Sequence, residues 1–231
     1  QKVRGNRIGV IFQDPLTALN PVLTVGSQLM ETIQLHLGLN GNELRQRAID
    51  LLDSVGIDDA ANRINQYPHQ FSGGMRQRVV IAIALAGEPE LLLADEPTTA
   101  LDVSIQSEIL ALIQDLCRER QLGVVLITHD MAVINEVTDR VAVMRYGRMI
   151  EIDKTHNIIN RPQQEYTQSL IAAVPRTDLK LDRFELVHAS VDGEGVSTTE
   201  AMNRRVAWFD GLEKATERDT PLVSVDQISI E

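Results

Sequence analysis

Cysteine is almost missing from this chain: Cys117 is the only one in 231 residues. No internal disulfide can form, which fits the cytosol. Long apolar runs are missing as well. The longest, Val79 to Ala86, falls well short of the ~18 residues that span a bilayer and reads as an interior helix. Positive charge is scarce, with 22 Lys and Arg against 33 Asp and Glu and a net charge of −11. General nucleic-acid binding usually shows a basic face, so this balance argues against it. No internal repeat is visible. What remains is a chain with 43% hydrophobic residues, enough for one main domain with a sizeable core, plus a tail.

The chain is organised around Gln66 to Asp102, QYPHQFSGGMRQRVVIAIALAGEPELLLADEPTTALD. Ser72 is a good N-cap, because its hydroxyl accepts from an orphan N–H of the first helical turn. Gly73 and Gly74 let a ligand approach the backbone. The helix expected over Met75 to Ala86 points its positive end at that turn, which makes an anion site from N–H groups and dipole together. Leu91 to Ala94 then form an apolar run without alternation, as in a parallel strand covered on both faces. The run delivers Asp95 and Glu96 to its C-terminal edge, where open α/β sheets bind ligands. There Asp95 can hold Mg²⁺ and Glu96 can polarise an attacking water as general base.

The rest of the chain extends this pattern. Arg7 to Phe12 reads as a buried strand rich in β-branched residues, ended by Gln13-Asp14-Pro15. Thr24 to Leu37 and Glu43 to Val55 carry apolar residues at helical spacing, with Gly38 and Gly56 as stops. Val103 to Arg120 reads as an amphipathic helix, and Val124 to Thr128 as a second buried strand followed by His129. Glu136 to Arg145 covers Asp139-Arg140 and the strand VAVM, and Tyr146 to Asp153 reads as a glycine-turn hairpin into a last strand. His36 and His69 read as structural and loop residues, and Cys117 as a small packing residue.

These motifs resemble the nucleotide-binding domain of ABC transporters. FSGGMRQR (Phe71 to Arg78) is similar to the family's signature, LLLADEP (Leu91 to Pro97) to its Walker B strand, and TALD (Thr99 to Asp102) to its D-loop. PLTALNP (Pro15 to Pro21) and PQQEYTQSLIAAVP (Pro162 to Pro175) resemble the oligopeptide/dipeptide-permease ATPases. The resemblance implies an α/β fold, P-loop NTPase-like, with a mostly parallel sheet and an inserted helical subdomain at about 24–86. It implies ATP and Mg²⁺ as cofactors, with Gln13 and Asp95 at the metal. Glu96 is then the catalytic base and His129 the switch residue that aligns it with the γ-phosphate. Ser72, Gly73, Gly74, Met75 and Asp102 bind across to nucleotide held by a second ABC domain, in cis or on a homologous subunit. Gln13 links the site to membrane permease subunits. The implied function is ATP-driven import of peptides or related small solutes, by a peripheral protein at the cytoplasmic face of the inner (plasma) membrane that binds no nucleic acid. The alternatives are a non-transport ABC ATPase acting as a mechanical clamp, or a non-enzymatic partner-binding half-domain.

No GxxxxGK followed by Ser or Thr occurs in the sequence, and the family places that phosphate-cradling loop upstream of the first strand here. The expectation is therefore an ABC domain over 1–160 that is incomplete at the N-terminus, binds ATP weakly by itself and does not turn it over. A tail helix is expected over 161–175 and a linker over 176–219, with a short helix around Trp208. Residues 220–231 read as the possible first strand of a second ABC domain, making the parent a tandem ATPase.

Overall fold

The computed structural model describes residues 3–99 and 101–173. The chain divides into two units, Gln1–Ile171 and Ala172–Glu231, and the description below concerns the first. The expected linker, the helix around Trp208 and the strand at 220–231 lie outside the described residues.

Three strands form a parallel sheet in the order β1 (Ile8–Ile11), β2 (Leu91–Asp95), β3 (Gly123–Ile127). The register runs Ile11 to Ala94 to Leu126. One face, through Gly9, Ile11, Leu92 and Ala94, turns into the core. Ile8, Val10, Leu91 and Leu93 on the other face are only half-buried. The expectation that β3 is buried is corrected here, since Val124, Val125 and Ile127 are 36%, 47% and 46% exposed. Among the described residues β3 is an edge strand paired to β2 alone. An apolar run reports what a strand can bury, not whether a neighbour covers it.

Between β1 and β2 the chain builds a helical layer. Just after the Gln13-Asp14 break the chain forms a four-residue helix α1 (Pro15–Ala18). In α2 (Val25–Leu37) the Thr24 hydroxyl accepts from Ser27 N–H at the start, and Gly38, at φ 70°, closes the end with its N–H on the Gln34 carbonyl. The left-handed conformation at that cap is one that glycine adopts without penalty. Next come α3 (Gly41–Ser54), the short α4 (Ala60–Arg63) and a 3₁₀ turn (Pro68–Gln70). Helix α5 (Gly73–Leu85) is buried nearly all round. It packs against α1, α2, α3 and β1 and so joins the helical layer to the sheet. Gly9 marks that junction, because a Cβ there would stand 2.2 Å from the Ala84 carbonyl oxygen of α5.

After β2 come α6 (Val103–Arg120), β3 and α7 (Met131–Val137). Strands β4 (Arg140–Arg145) and β5 (Arg148–Lys154) form a separate antiparallel hairpin. It turns through Tyr146 and Gly147, at φ 49° and 72°, the pair of positive angles a two-residue hairpin loop favours. Helices α8 (Thr155–Asn160) and α9 (Glu165–Ala172) follow. Ile158 is buried with Val141 and Val143, and Tyr166 and Leu170 pack on them. Helix α9 lies inside the expected 161–175 tail.

Candidate active site

The C-terminal ends of β1, β2 and β3 bring three side chains together. Gln13 leaves β1, Glu96 follows β2, and His129 follows β3. The Gln13 Nε2–H donates to Glu96 Oε2 at 2.7 Å, and His129 Nδ1 lies 3.0 Å from Glu96 Oε1. A third donor, the Thr99 hydroxyl, reaches Glu96 Oε2 at 3.0 Å. Parallel strands in one register end at one level, so residues far apart in sequence meet at this edge.

The backbone at Glu96 is unusual. Its φ is +45°, a left-handed conformation that costs a non-glycine residue energy and persists where the surroundings enforce it. Here the Glu96 N–H donates to the Ile127 carbonyl at 2.9 Å, and Thr99 N–H donates back to the Glu96 carbonyl at 3.3 Å. The side chain sits in a partly open position, with Glu96 23% and His129 73% exposed.

Hydrogen bonds from His129 and Thr99, with a smaller one from Gln13, hold the Glu96 carboxyl below its ordinary value. It is therefore ionised at neutral pH and accepts from all three donors, which makes His129 Nδ1 the protonated nitrogen. A neutral His129 then keeps only an acceptor at Nε2. Donating to a phosphate oxygen as well would require the doubly protonated ring.

Asp95 is exposed at the end of β2, one residue before Glu96. The second group of expected residues lies elsewhere, at the start of α5. Ser72 Oγ accepts from Met75 N–H at 3.3 Å. A Cβ on Gly73 would find only Leu101 Cδ2 at 3.7 Å, whereas one on Gly74 would meet Ile105 Cγ2 at 2.8 Å. Gly73 thus leaves the turn open, and Gly74 is needed for α6 to approach. Asp102 stands at the N-cap of α6, exposed and without a side-chain cap bond. Among the described residues no group of three or more His, Cys, Asp or Glu forms a metal cage.

A family model described as ABC transporter matches residues 1–99. A peptide import ATP-binding protein of Brucella melitensis is 49% identical over 83% of this chain and 58% of its own length. The dipeptide transport ATP-binding protein DppD of Bacillus subtilis is 53% identical over 77% of this chain and 53% of its own. Residues 1–99 carry an ABC transporter domain. The ABC cassette MJ0796, solved as a dimer in a post-hydrolysis state with ADP and Pi, superposes with a TM-score of 0.58 at 33% identity. That match covers 67% of this chain and 65% of the cassette. The chain spans a little over half the length of the curated relatives it matches, 58% and 53% for the two above.

In this chain Gln13, Glu96 and His129 form one bonded cluster, with Asp95 adjacent in the sequence. Ser72 to Met75 and Asp102 occupy two neighbouring helix starts. Thr99 belongs to the TALD motif, and the resemblance assigns it no part in the site. The signal for it was available: a hydroxyl three residues after a carboxylate, across Pro97, is within reach of a single turn. A small cleft of about 110 Å³ is lined by Pro15, Leu19, Pro21, Pro68, His69 and Arg76. His69 stacks there on Tyr67, with ring centres 5.7 Å apart.

Proposed function

We propose that this cassette belongs to the ATP-hydrolysing subunit of an importer for peptides or related small solutes. The observation that carries the reading is the Glu96 carboxylate, ionised and held by Gln13, Thr99 and His129 at the C-terminal edge of a parallel sheet. The names of the relatives support the solute class. Among the described residues no helix is long and apolar enough to cross a membrane, so the reading assigns the membrane passage to separate permease subunits. It places the cassette peripherally, at the cytoplasmic face.

The residues fit the expected cofactors in kind. Asp95 and the Gln13 Oε1 are oxygen donors, the ligand type Mg²⁺ takes, and Mg²⁺ is usually held by one or two protein oxygens plus phosphates. The start of α5 offers backbone N–H groups and a dipole to a phosphate, at a turn that Gly73 leaves open. When bound, the metal neutralises charge on the transferring phosphoryl group. Glu96 polarises the attacking water. Its depressed pKa makes it a weak base, so its value lies in aiming the water more than in removing a proton early. His129 fixes the Glu96 carboxylate through Nδ1–H. Ser72, Gly73, Gly74, Met75 and Asp102 face nucleotide held by a second ABC domain. Gln13 couples the site to the permease.

The test is Glu96→Gln in the full-length protein with its partners. ATP binding should persist while turnover falls by roughly 10²–10⁴, the usual worth of a positioned base. An unchanged rate removes Glu96 from the role.

A further inference from the structure

Glu96 is held by two kinds of donor. Gln13 and His129 come from other strands, 83 and 33 residues away in sequence. Thr99 comes from the same turn. It is tied to Glu96 twice, through its N–H on the Glu96 carbonyl at 3.3 Å and its hydroxyl on Oε2 at 3.0 Å. The turn between them contains Pro97, whose φ is fixed, and Pro97 and Thr98 are both buried. Thr99 is β-branched and stiff at χ1, so its hydroxyl has little freedom to leave. The Glu96 N–H is pinned to the Ile127 carbonyl of β3. Any motion of β1 relative to β2 changes the Gln13 bond, but it leaves the bond from Thr99 in place.

We propose that Thr99 is a positioning residue for the Glu96 general base, the local donor that keeps the carboxylate aimed when Gln13 lets go. The proposal rests on the reading of Glu96 as the base and adds a residue to it. Gln13 has two demands on it, a bond to Oε2 and the coupling role. A carboxylate held by Gln13 alone would lose its orientation whenever that coupling moved. With Thr99 on the same oxygen, Oε2 stays anchored and Oε1 stays on His129. Thr99 touches neither water nor phosphate in this role and acts only through Glu96.

The test uses the full-length protein assembled with its permease partners, measuring steady-state and single-turnover ATP hydrolysis. Thr99→Val removes the donor and keeps the shape. It should lower kcat by on the order of tenfold to a hundredfold, the usual cost of a misaimed catalytic group, with the KM for ATP unchanged. Thr99→Ser, which restores a hydroxyl, should recover turnover to within about threefold of the parent, since the stiff χ1 is the only feature lost. In a Glu96→Gln background, Thr99→Val should add no further loss, because its effect passes through that side chain. A normal kcat in Thr99→Val beside a dead Glu96→Gln overturns the positioning role and leaves the base reading intact. A normal rate in Glu96→Gln overturns the base reading itself. A raised KM, or an equal loss from Thr99→Val in both backgrounds, would make Thr99 a nucleotide contact or a structural residue and so overturn the proposal. Should Thr99→Val fail to fold, Thr99→Ala carries the same three comparisons.

Discussion

His129 Nδ1 and Glu96 Oε1 stand 3.0 Å apart, joining the end of β3 to the end of β2 through two side chains that face solvent unequally. The histidine is the open member and the carboxylate the sheltered one. Removing the histidine therefore frees a carboxylate oxygen without making a cavity. His129→Ala should leave folding intact and lower ATP turnover by at least about tenfold. Combined with Glu96→Gln it should cost little beyond the single change, since groups that act as a unit are strongly non-additive. Hydrolysis rates for the three variants check this. Additive losses would mean that His129 works independently of Glu96.

Gly9 sets the spacing between β1 and α5. An added Cβ would stand 2.2 Å from the Ala84 carbonyl oxygen and 3.2 Å from Leu92 Cδ1. The first of these is backbone in a buried helix and cannot move aside alone. Gly9→Ala should destabilise by about 1–3 kcal/mol, the usual cost of overpacking a core. At roughly 2–4 °C per kcal/mol for a domain of this size, thermal unfolding should show a clear fall in Tm. An unchanged Tm would mean that α5 can withdraw from the sheet without cost.

The sequence made some of this visible and hid the rest for identifiable reasons. Thr24, Gly38 and Gly56 punctuate helices whose apolar period is long enough to read, Ser72 caps a helix read from its unbroken apolar run, and the observed bounds fall within two residues of those ends. Helices α1 and α4 have four residues each, too short to show any period. For the site, the resemblance supplied the residue types, while the bond from Gln13 to Glu96 spans 83 positions and depends on strand register, which no local pattern encodes. Gly74 carries the opposite lesson. The glycine pair reads as space for a ligand, yet Ile105 already fills the room beside one of the two.

Glu151 ties the last strand to the tail helix. Its Oε1 accepts from Gln163 N–H at 2.8 Å and its Oε2 from Gln164 N–H at 3.2 Å. The Thr167 side chain and the hydrogen bonds from these two backbone groups hold its carboxyl below the ordinary value, although the Thr167 hydroxyl itself makes no hydrogen bond in the structure. A depressed folded-state pKa stabilises above the unfolded value, and that stability is lost as pH falls through the folded one. The start of α9 should therefore stay docked from neutral pH down through about 4.3, the ordinary glutamate value, and loosen only below it. The amide proton shifts of Gln163 and Gln164, followed by NMR, should titrate with a midpoint under that value. In Glu151→Gln they should not titrate there at all. A midpoint at the ordinary value would show that the two backbone bonds do not persist in solution.

Cys117 lies on α6, half-buried against the core, and desolvation pushes its thiol up to about 11. The thiolate is the reactive form. At pH 8 a thiol of that pKa is roughly a thousandth ionised, against about a quarter for an ordinary cysteine. Iodoacetamide should therefore label the folded protein on the order of a hundredfold more slowly than the same protein in urea. Rapid labelling of the folded form would place Cys117 in solvent and require the last turns of α6 to open from the core. Slow labelling would confirm that Leu116 and Leu122, buried on either side of it, keep that end of the helix closed. The α6-to-β3 connection would then be a fixed support for the strand that delivers His129.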